Sequence, residues 1–528
     1  MWILVFFSVV FAYFFYKSCI KPLSYWKNLG IPHEKAVPIF GNFFDSILGR
    51  KHTSDILSDI HKKHKNDRYV GLIQFNKPML MLNDIELIKQ ITIKDFDHFV
   101  DRMEFEDPDP FMRKNLLAMK GNIWKEMRAT LSPIFTSAKI KHMSQLMMEC
   151  AKNLQQNIPV GSNIQEVLIK DVFSKYSNDI IASVAFGIQC NSSTDAGINE
   201  FYGNAKKFAT FSASQNLKAI FLITFPYFAK VFNISMFDKG IVNYFRNIIC
   251  DTMAYREKEN IVRPDLINLL MEAKKGQLIN DSTKDKDAGF AAVNESDILD
   301  SEKLGKKEWT NEEITAQSLL FFFAGFETIS IVSSFIAYEL AINPNIQDTL
   351  QSEIDSVLEK TNGDVKYDDI VKMKYLDQVL AETLRKWSAA FQTDRICTRE
   401  YTIKSIQPGE KEVTLKPGDI ILIPISAIHY DPEYFPEPER FDPERFGDEN
   451  KQTIVSGSYF PFGTGPRNCI GSRFALLEVK ILFFFLLSNL SVVPTSKTQI
   501  PYKVNPRFFN FSPTDMRLGF KQRNVTNL

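Results

Sequence analysis

Cys469 stands in the stretch Phe460-Pro461-Phe462-Gly463-Thr464-Gly465-Pro466-Arg467-Asn468-Cys469-Ile470-Gly471. A thiolate, and not a thiol, binds metal, and it persists only beside positive charge or amide N–H groups. The run Phe474 to Leu487 after it reads as a helix, whose start supplies partial positive charge to the sulfur. Gly463, Gly465 and Gly471 allow positive φ and a close approach to something large and flat. Arg467 can reach the other side of the loop and pair with a carboxylate. No second cysteine or histidine stands nearby, so the four-ligand set of a zinc site is missing. A single thiolate instead suits haem iron. The plain alternative is a buried free cysteine in a Gly/Pro turn.

Three more sets of residues could do chemistry or support it. Ala324-Gly325-Phe326-Glu327-Thr328 lies inside a long apolar run, and a buried carboxylate beside a buried hydroxyl is costly unless something uses it. Gly325 can let the backbone approach a flat ligand, and Thr328 can turn its hydroxyl to a helix carbonyl or a water. Trp124 and Arg128 are four apart and share a helix face, where they either hold one anionic group together or form a simple packing pair. Glu382 and Arg385 face each other at i, i+3. If buried, that pair needs further hydrogen bonds to offset desolvation, and Pro438-Glu-Arg-Phe-Asp-Pro443-Glu444-Arg445 can supply them.

The elements that must position these residues are mostly helical. Thr310-Asn-Glu-Glu313 is a capping box that opens a helix from about Asn311 to Asn343, ended by Pro344 and apolar nearly all round, hence buried. Helices are also expected over Lys51–Lys65, Asp84–Ile93, from Trp124, over Ile164–Ile188 and over Tyr375–Trp387. Tyr69–Leu82 reads as two short strands around Asn76-Lys77-Pro78. Tyr401–Ile406, Glu412–Leu415 and Ile420–Ser426 read as a small sheet, and Ile500-Pro501 with Phe508–Thr514 as a last hairpin. Asp101–Met119 and Lys275–Glu308 read as loops. The fold class is therefore mostly α with small β-sheets.

Composition narrows the function classes. The 63 basic and 63 acidic residues cancel, so no global field recruits nucleic acid. Six scattered cysteines without CxxC spacing suit a reducing compartment and no disulfide framework. Trp2 to Tyr16 is almost wholly apolar and the stretch reaches Ile20, close to the roughly 20 residues of a membrane span. Lys17, Lys21 and Lys27 all come after it, which places the body in the cytosol. Without a basic segment before the run or a small-residue cleavage site after it, an uncleaved anchor is the better reading than a cleaved signal. The expected organisation is an anchor over residues 1–20, a proline-rich hinge over 21–42 with Pro22, Pro32 and Pro38, and one body over 43–528. Phe201 to Phe245 is densely aromatic; it is either core or an exposed patch that meets a partner or membrane.

Phe462-Gly463-x-Gly465-x-Arg467-x-Cys469-x-Gly471 matches the haem-binding signature of the cytochrome P-450 family, and the chain resembles that family from Met1 to about Arg523. The resemblance implies the P-450 fold behind an N-terminal transmembrane helix, with haem b between the Cys loop and the long helix and Cys469 as the axial ligand. It implies that Arg467, Arg395, Arg128 and Trp124 hold the haem propionates, and that Phe462, Gly463, Gly471, Ala324 and Gly325 line the cofactor. Thr328 and Glu327 resemble the family's acid–alcohol pair, which holds the waters that deliver protons during dioxygen activation. Glu382, Arg385 and Arg445 resemble its structural triad, with Arg440 the runner-up to Arg445. One departure stands at Lys386-Trp387-Ser388, where the family usually has a proline.

The activity so implied is monooxygenation of a lipophilic xenobiotic, lipid or hormone at the endoplasmic reticulum membrane. Electrons come from NADPH through a flavoprotein reductase, with a small haem carrier as a second donor. The chain itself shows no GxGxxG dinucleotide site. Lys139, Lys141 and Arg473 are the expected docking face. Ser24-Tyr25-Trp26-Lys27, Ala185-Phe-Gly-Ile-Gln-Cys190, Arg263-Pro264-Asp265 and Ile428-His429-Tyr-Asp431-Pro432 look most like insect drug- and toxin-oxidising members. An oxygen-independent isomerase or dehydratase on the same fold, and a non-catalytic haem-binding protein, are the alternatives.

Overall fold

The computed structural model describes residues 2–103, 107, 109–160, 164–192, 200–209, 215, 218–219, 221–222, 225–276, 289–292, 308–507 and 510–523. Eight helices matter most for the site and its surroundings: α1 Trp2–Phe15, α2 Gly121–Leu131, α3 Ser137–Asn157, α4 Ile169–Ile181, α5 Lys239–Glu259, α6 Asn311–Ile342, α7 Lys374–Lys386 and α8 Ser472–Asn489. Among the described residues α6 is the one helix both long and apolar enough to cross a membrane, yet it lies inside the body. It is the central strut of the core. Thr310 accepts from the Glu313 amide and Glu313 returns a bond to the Thr310 backbone, closing the capping box. Two orphan donors at its start are thereby satisfied. From Ile314 to Ala341 most side chains are buried, against α4 along much of the length and against α5, α7 and α8 elsewhere.

Three small sheets flank the helices. Strands β1 Tyr69–Gln74 and β2 Lys77–Leu82 form the expected hairpin. β3 is Glu166–Leu168, β4 Thr393–Ile396, β5 Tyr401–Ile403, β6 Val413–Leu415 and β7 Ile420–Ile423. β8 Leu490–Pro494 and β9 Arg517–Gln522 complete the set. The first sheet runs β1-β2-β7-β4, with β2 parallel to β7 and β4 antiparallel to it, so that Arg395 pairs with Ile421. β5 and β6 pair alone, and β3-β9-β8 forms the third sheet.

Several expectations are corrected. The last hairpin joins β8 to β9; Ile500-Pro501 and the described part of Phe508–Thr514 lie in its connection, and residues 508–509 are outside the described residues. Leu490-Ser-Val-Val carries a strand signal that is masked by the apolar helix directly before it. The helix expected over Ile164–Ile188 begins with strand β3, because Val167 pairs with Leu518 far along the chain. The proline-rich hinge contains a helical turn, Tyr25–Leu29, whose Trp26 is buried and donates to the Leu72 carbonyl at 2.7 Å. Most of the Lys275–Glu308 loop lies outside the described residues.

Candidate haem-thiolate site

The cysteine loop folds on its own backbone. The Gly463 amide donates to Phe460 O at 2.9 Å, Cys469 N to Phe462 O at 2.9 Å and Asn468 N to Gly465 O at 3.0 Å. Gly463 and Gly465 have φ of 77° and 73°, in the region glycine enters without cost. A Cβ on Gly465 would lie 1.9 Å from the Thr92 carbonyl oxygen, so packing demands glycine there as well. Gly471 differs from expectation. Its φ is −95°, and its position faces Phe135 at ordinary contact distance. Phe462 packs against the main core. The Cys469 residue is exposed. Burial pushes the thiol up, while the Gly471 amide, Arg128 and Arg102 pull it down.

Four arginines gather around this loop. Arg128 of α2 donates to Asn468 O at 2.9 Å and to Asn468 Oδ1 at 2.6 Å. One turn earlier, Trp124 is buried and supports the Arg467 guanidinium, 4.2 Å from the ring centre. Arg467 donates to the carbonyls of Val100, Leu116 and Met119 at 2.9, 3.1 and 2.7 Å. Arg395 reaches from β4 to Thr464 O at 2.9 Å. Arg102 donates to Thr393 Oγ1 at 2.8 Å and lies 3.5 Å from Asp394 Oδ1. Among the described residues no carboxylate lies within ion-pair distance of Arg128, Arg395 or Arg467. Burial lowers Arg467 to about 8, with Arg102 and Arg395 adding to the effect. Burial likewise lowers Arg395 to about 9 and Arg128 to about 10. A guanidinium keeps its proton in proteins, so these depressions express charge that the protein alone leaves uncompensated. Arg128 Nε and Arg395 Nε are buried without a hydrogen-bond partner. A donor set of this kind fits a planar group carrying carboxylates beside a cysteine sulfur.

α6 presents its open face at Ala324 and Thr328, the exposed positions of an otherwise buried segment. Thr328 Oγ1 donates to Ala324 O at 2.6 Å, the back-bonding expected of a mid-helix threonine. Glu327 is buried on another face, with Lys170 Nζ 2.7 Å from Oε1. At Gly325 a Cβ would lie 2.5 Å from Ile181 Cδ1. The missing side chain makes room for α4. Ser177 of α4 reinforces the contact by donating to Gly325 O and Phe326 O, both at 3.1 Å. Phe135 links the two sides, touching the Gly471 position and meeting Phe321 of α6 edge-on at 5.2 Å.

Comparison with known proteins decides the family. The family model described as Cytochrome P450 matches residues 31–517. "Cytochrome P450 9e2" of Blattella germanica is 39% identical over 507 residues, covering 93% of this chain and 92% of the relative. "Probable cytochrome P450 9f2" of Drosophila melanogaster is 40% identical, covering 95% of each. "Cytochrome P450 6k1" of Blattella germanica is 35% identical over 94% of this chain and 92% of its own.

The chain belongs to the cytochrome P450 family.

Membership implies haem held by a cysteine thiolate and monooxygenase chemistry. In this cytochrome P450 the scaffold behind the site is a buried ion pair. Arg385 Nε donates to Glu382 Oε2 at 2.7 Å and Nη2 to Oε1 at 2.9 Å. The guanidinium also donates to the carbonyls of His429 and Pro438, at 3.0 and 2.8 Å. The Asp442 amide donates to Glu382 Oε1 at 2.9 Å, and Arg445 Nε lies 3.5 Å from the same oxygen. Arg440 is instead exposed and pairs with Glu437 at 3.4 Å. Where P450s usually carry a proline, Trp387 stacks on Phe335 at 4.2 Å and 7° and donates to Glu339 at 2.7 Å, while Ser388 Oγ donates to Ala390 O at 2.9 Å. These contacts hold the turn that leads to β4 and Arg395.

Sequence reasoning missed Arg102, Asn468, His429 and Lys170. Asn468 sits inside the motif, where its spacing from Arg128 carries no signal. His429 accepts from the Phe460 amide at 3.1 Å and so ties the start of the Cys loop to the Arg385 network. At the expected docking face, Lys141 is already paired with Asp368 at 2.6 Å.

Proposed function

We propose that this cytochrome P450 inserts one atom of dioxygen into a lipophilic substrate, with electrons from NADPH delivered by a flavoprotein reductase. The observation that carries the reading is the set of Arg128, Arg395 and Arg467, none with a carboxylate at ion-pair distance among the described residues, around the exposed residue Cys469. In this reading Cys469 would ligate the iron of haem b, the three arginines and Trp124 would hold its propionates, and Phe462, Gly463 and Gly471 would border it. The bound haem supplies the redox chemistry. Ala324 and Thr328 would also border the haem; the Thr328 hydroxyl, which donates to Ala324 O, would accept from a water, and Glu327 would pass a proton toward it. Glu382, Arg385 and Arg445 keep the scaffold in register.

Membrane attachment is part of the same proposal: residues 1–20 anchor the chain in the endoplasmic reticulum, 21–42 form the hinge and 43–528 the cytosolic body. Trp2, Tyr227 and Phe232 are 80%, 74% and 67% exposed, which supports lipid contact at two places. A reductase and a small haem electron carrier would meet the face near Lys139, Lys141 and Arg473. Its likeness to the insect relatives leaves the substrate as a lipophilic xenobiotic, lipid or hormone.

The test is the carbon monoxide difference spectrum of the dithionite-reduced protein. A strongly red-shifted Soret band is expected and is lost in Cys469→His. A wild-type band at the position of histidine- or thiol-ligated haem overturns the thiolate assignment. Turnover independent of NADPH and reductase would favour an isomerase or dehydratase instead.

A further inference from the structure

Gly289-Phe-Ala-Ala292 follows the charged run Lys284-Asp-Lys-Asp287, in the chain between the Leu266–Lys274 helix and α6. These four residues dock on elements far away in sequence. Ala292 N donates to Gly289 O at 3.2 Å, and the Phe290 amide donates to Asp377 Oδ2 of α7 at 2.8 Å. Gly289 has a φ of 89°, and a Cβ on it would lie 2.2 Å from Asp377 Oδ1, so backbone and contact both require glycine. The Phe290 ring meets Phe446 at 5.0 Å and Tyr459 at 5.4 Å, each within the range of favourable aromatic pairs. The two contacts lead to both ends of the Cys469 loop. Tyr459 directly precedes Phe460 and stacks on His429 at 5.5 Å and 20°, and His429 accepts from the Phe460 amide. Asp377 Oδ1 lies 3.0 Å from Lys480 Nζ of α8, the helix that leaves the loop, and the Lys480 side chain is 3% exposed. A buried ammonium needs its carboxylate held in place, and the Phe290 amide helps to hold it.

We propose that the groove between α7, the Pro443–Phe446 turn and α8 is a peptide-docking site, filled in cis by residues 289–292, and that its occupancy holds the Cys469 loop rigid. The groove suits a segment with glycine first and an aromatic residue second. The Asp377 carboxylate takes the amide and leaves no room for a Cβ at the glycine, and Phe446 and Tyr459 receive the ring. The docked residues act as a strap. Undocking frees Tyr459 at the entry of the loop and Asp377 at its exit, so the loop opens locally more often while the core stays folded. The inference stands apart from the choice of substrate and electron donor.

Hydrogen exchange, followed by mass spectrometry in the full-length, haem-loaded protein, tests this in wild type, Phe290→Ala, Phe290→Leu and Gly289→Val. Amides of residues 458–471 report the loop, and those of residues 329–336, in the middle of α6, report the core. In Phe290→Ala and Gly289→Val the loop amides should exchange about 3- to 10-fold faster, the scale of one lost aromatic pair, while the α6 amides keep the wild-type rate. Phe290→Leu leaves an apolar group in the groove and should fall between. Wild-type exchange of the loop in Phe290→Ala or in Gly289→Val overturns the proposal. Equal acceleration of loop and α6 also overturns it, because that is general destabilisation and not the release of a strap. Where Phe290→Ala does not fold, Phe290→Leu carries the same readings.

Discussion

The Arg467 guanidinium lies face-on over the Trp124 ring, 4.2 Å from its centre. A desolvated cation–π contact contributes roughly 2 kcal/mol, and this one aims a donor set whose other bonds all go to backbone carbonyls. Trp124→Leu should therefore weaken haem retention by about 10- to 30-fold, since 1.4 kcal/mol is tenfold. Trp124→Phe should lose less. Haem transfer to a globin scavenger measures both, and equal retention in all three proteins would remove Trp124 from the site.

Two glycines of one motif should respond differently. At Gly465 a Cβ meets the Thr92 carbonyl and φ is positive, so Gly465→Ala should abolish haem-loaded protein through strain and overlap. Gly471 has ordinary φ and an ordinary contact, so Gly471→Ala should cost less than about 1 kcal/mol. Haem absorbance per protein and thermal unfolding report the contrast.

Breaking the buried Glu382–Arg385 pair from one side should destabilise by about 3–5 kcal/mol. Glu382→Ala is the direct case, because it leaves the Arg385 charge unpaired in a site without exposure. Arg445→Ala should cost less, as Arg445 touches the pair through one contact at 3.5 Å. Urea midpoints of the two variants rank them.

His429 gives the chain an acid sensitivity of known sign. Burial, with the Arg385 charge adding to it, lowers its pKa to about 3, so the folded imidazole is neutral and accepts from Phe460 N. Below its ordinary value near 6.5 the unfolded chain binds the proton that the folded chain refuses. Stability therefore falls as pH drops from about 6.5 toward 3, by up to about 1.4 kcal/mol per unit. His429→Gln should lack this component. The difference between the two denaturation curves over that window isolates it, and parallel curves would refute it.

The parts legible in sequence are those whose physics is local. The capping box at Thr310, the cap at Asp84 and the facing pair Glu382 and Arg385 each act within one helical turn, and three or four residues suffice to state them. The glycine-flanked Cys469 carries its own amide donors for the same reason, and α6 is legible from apolar residues that no surface helix could expose. Tertiary packing decided the rest. Arg102 and Lys170 are ordinary arginine and lysine positions until the fold carries them to Thr393 and Glu327. Gly325 is small because Ile181 of another helix occupies its place, which no pattern around residue 325 encodes. Val167 is a strand residue because Leu518 stands opposite it. Strand pairing, buried charge and helix contact all depend on partners hundreds of residues away, and chain closure alone brings them within reach.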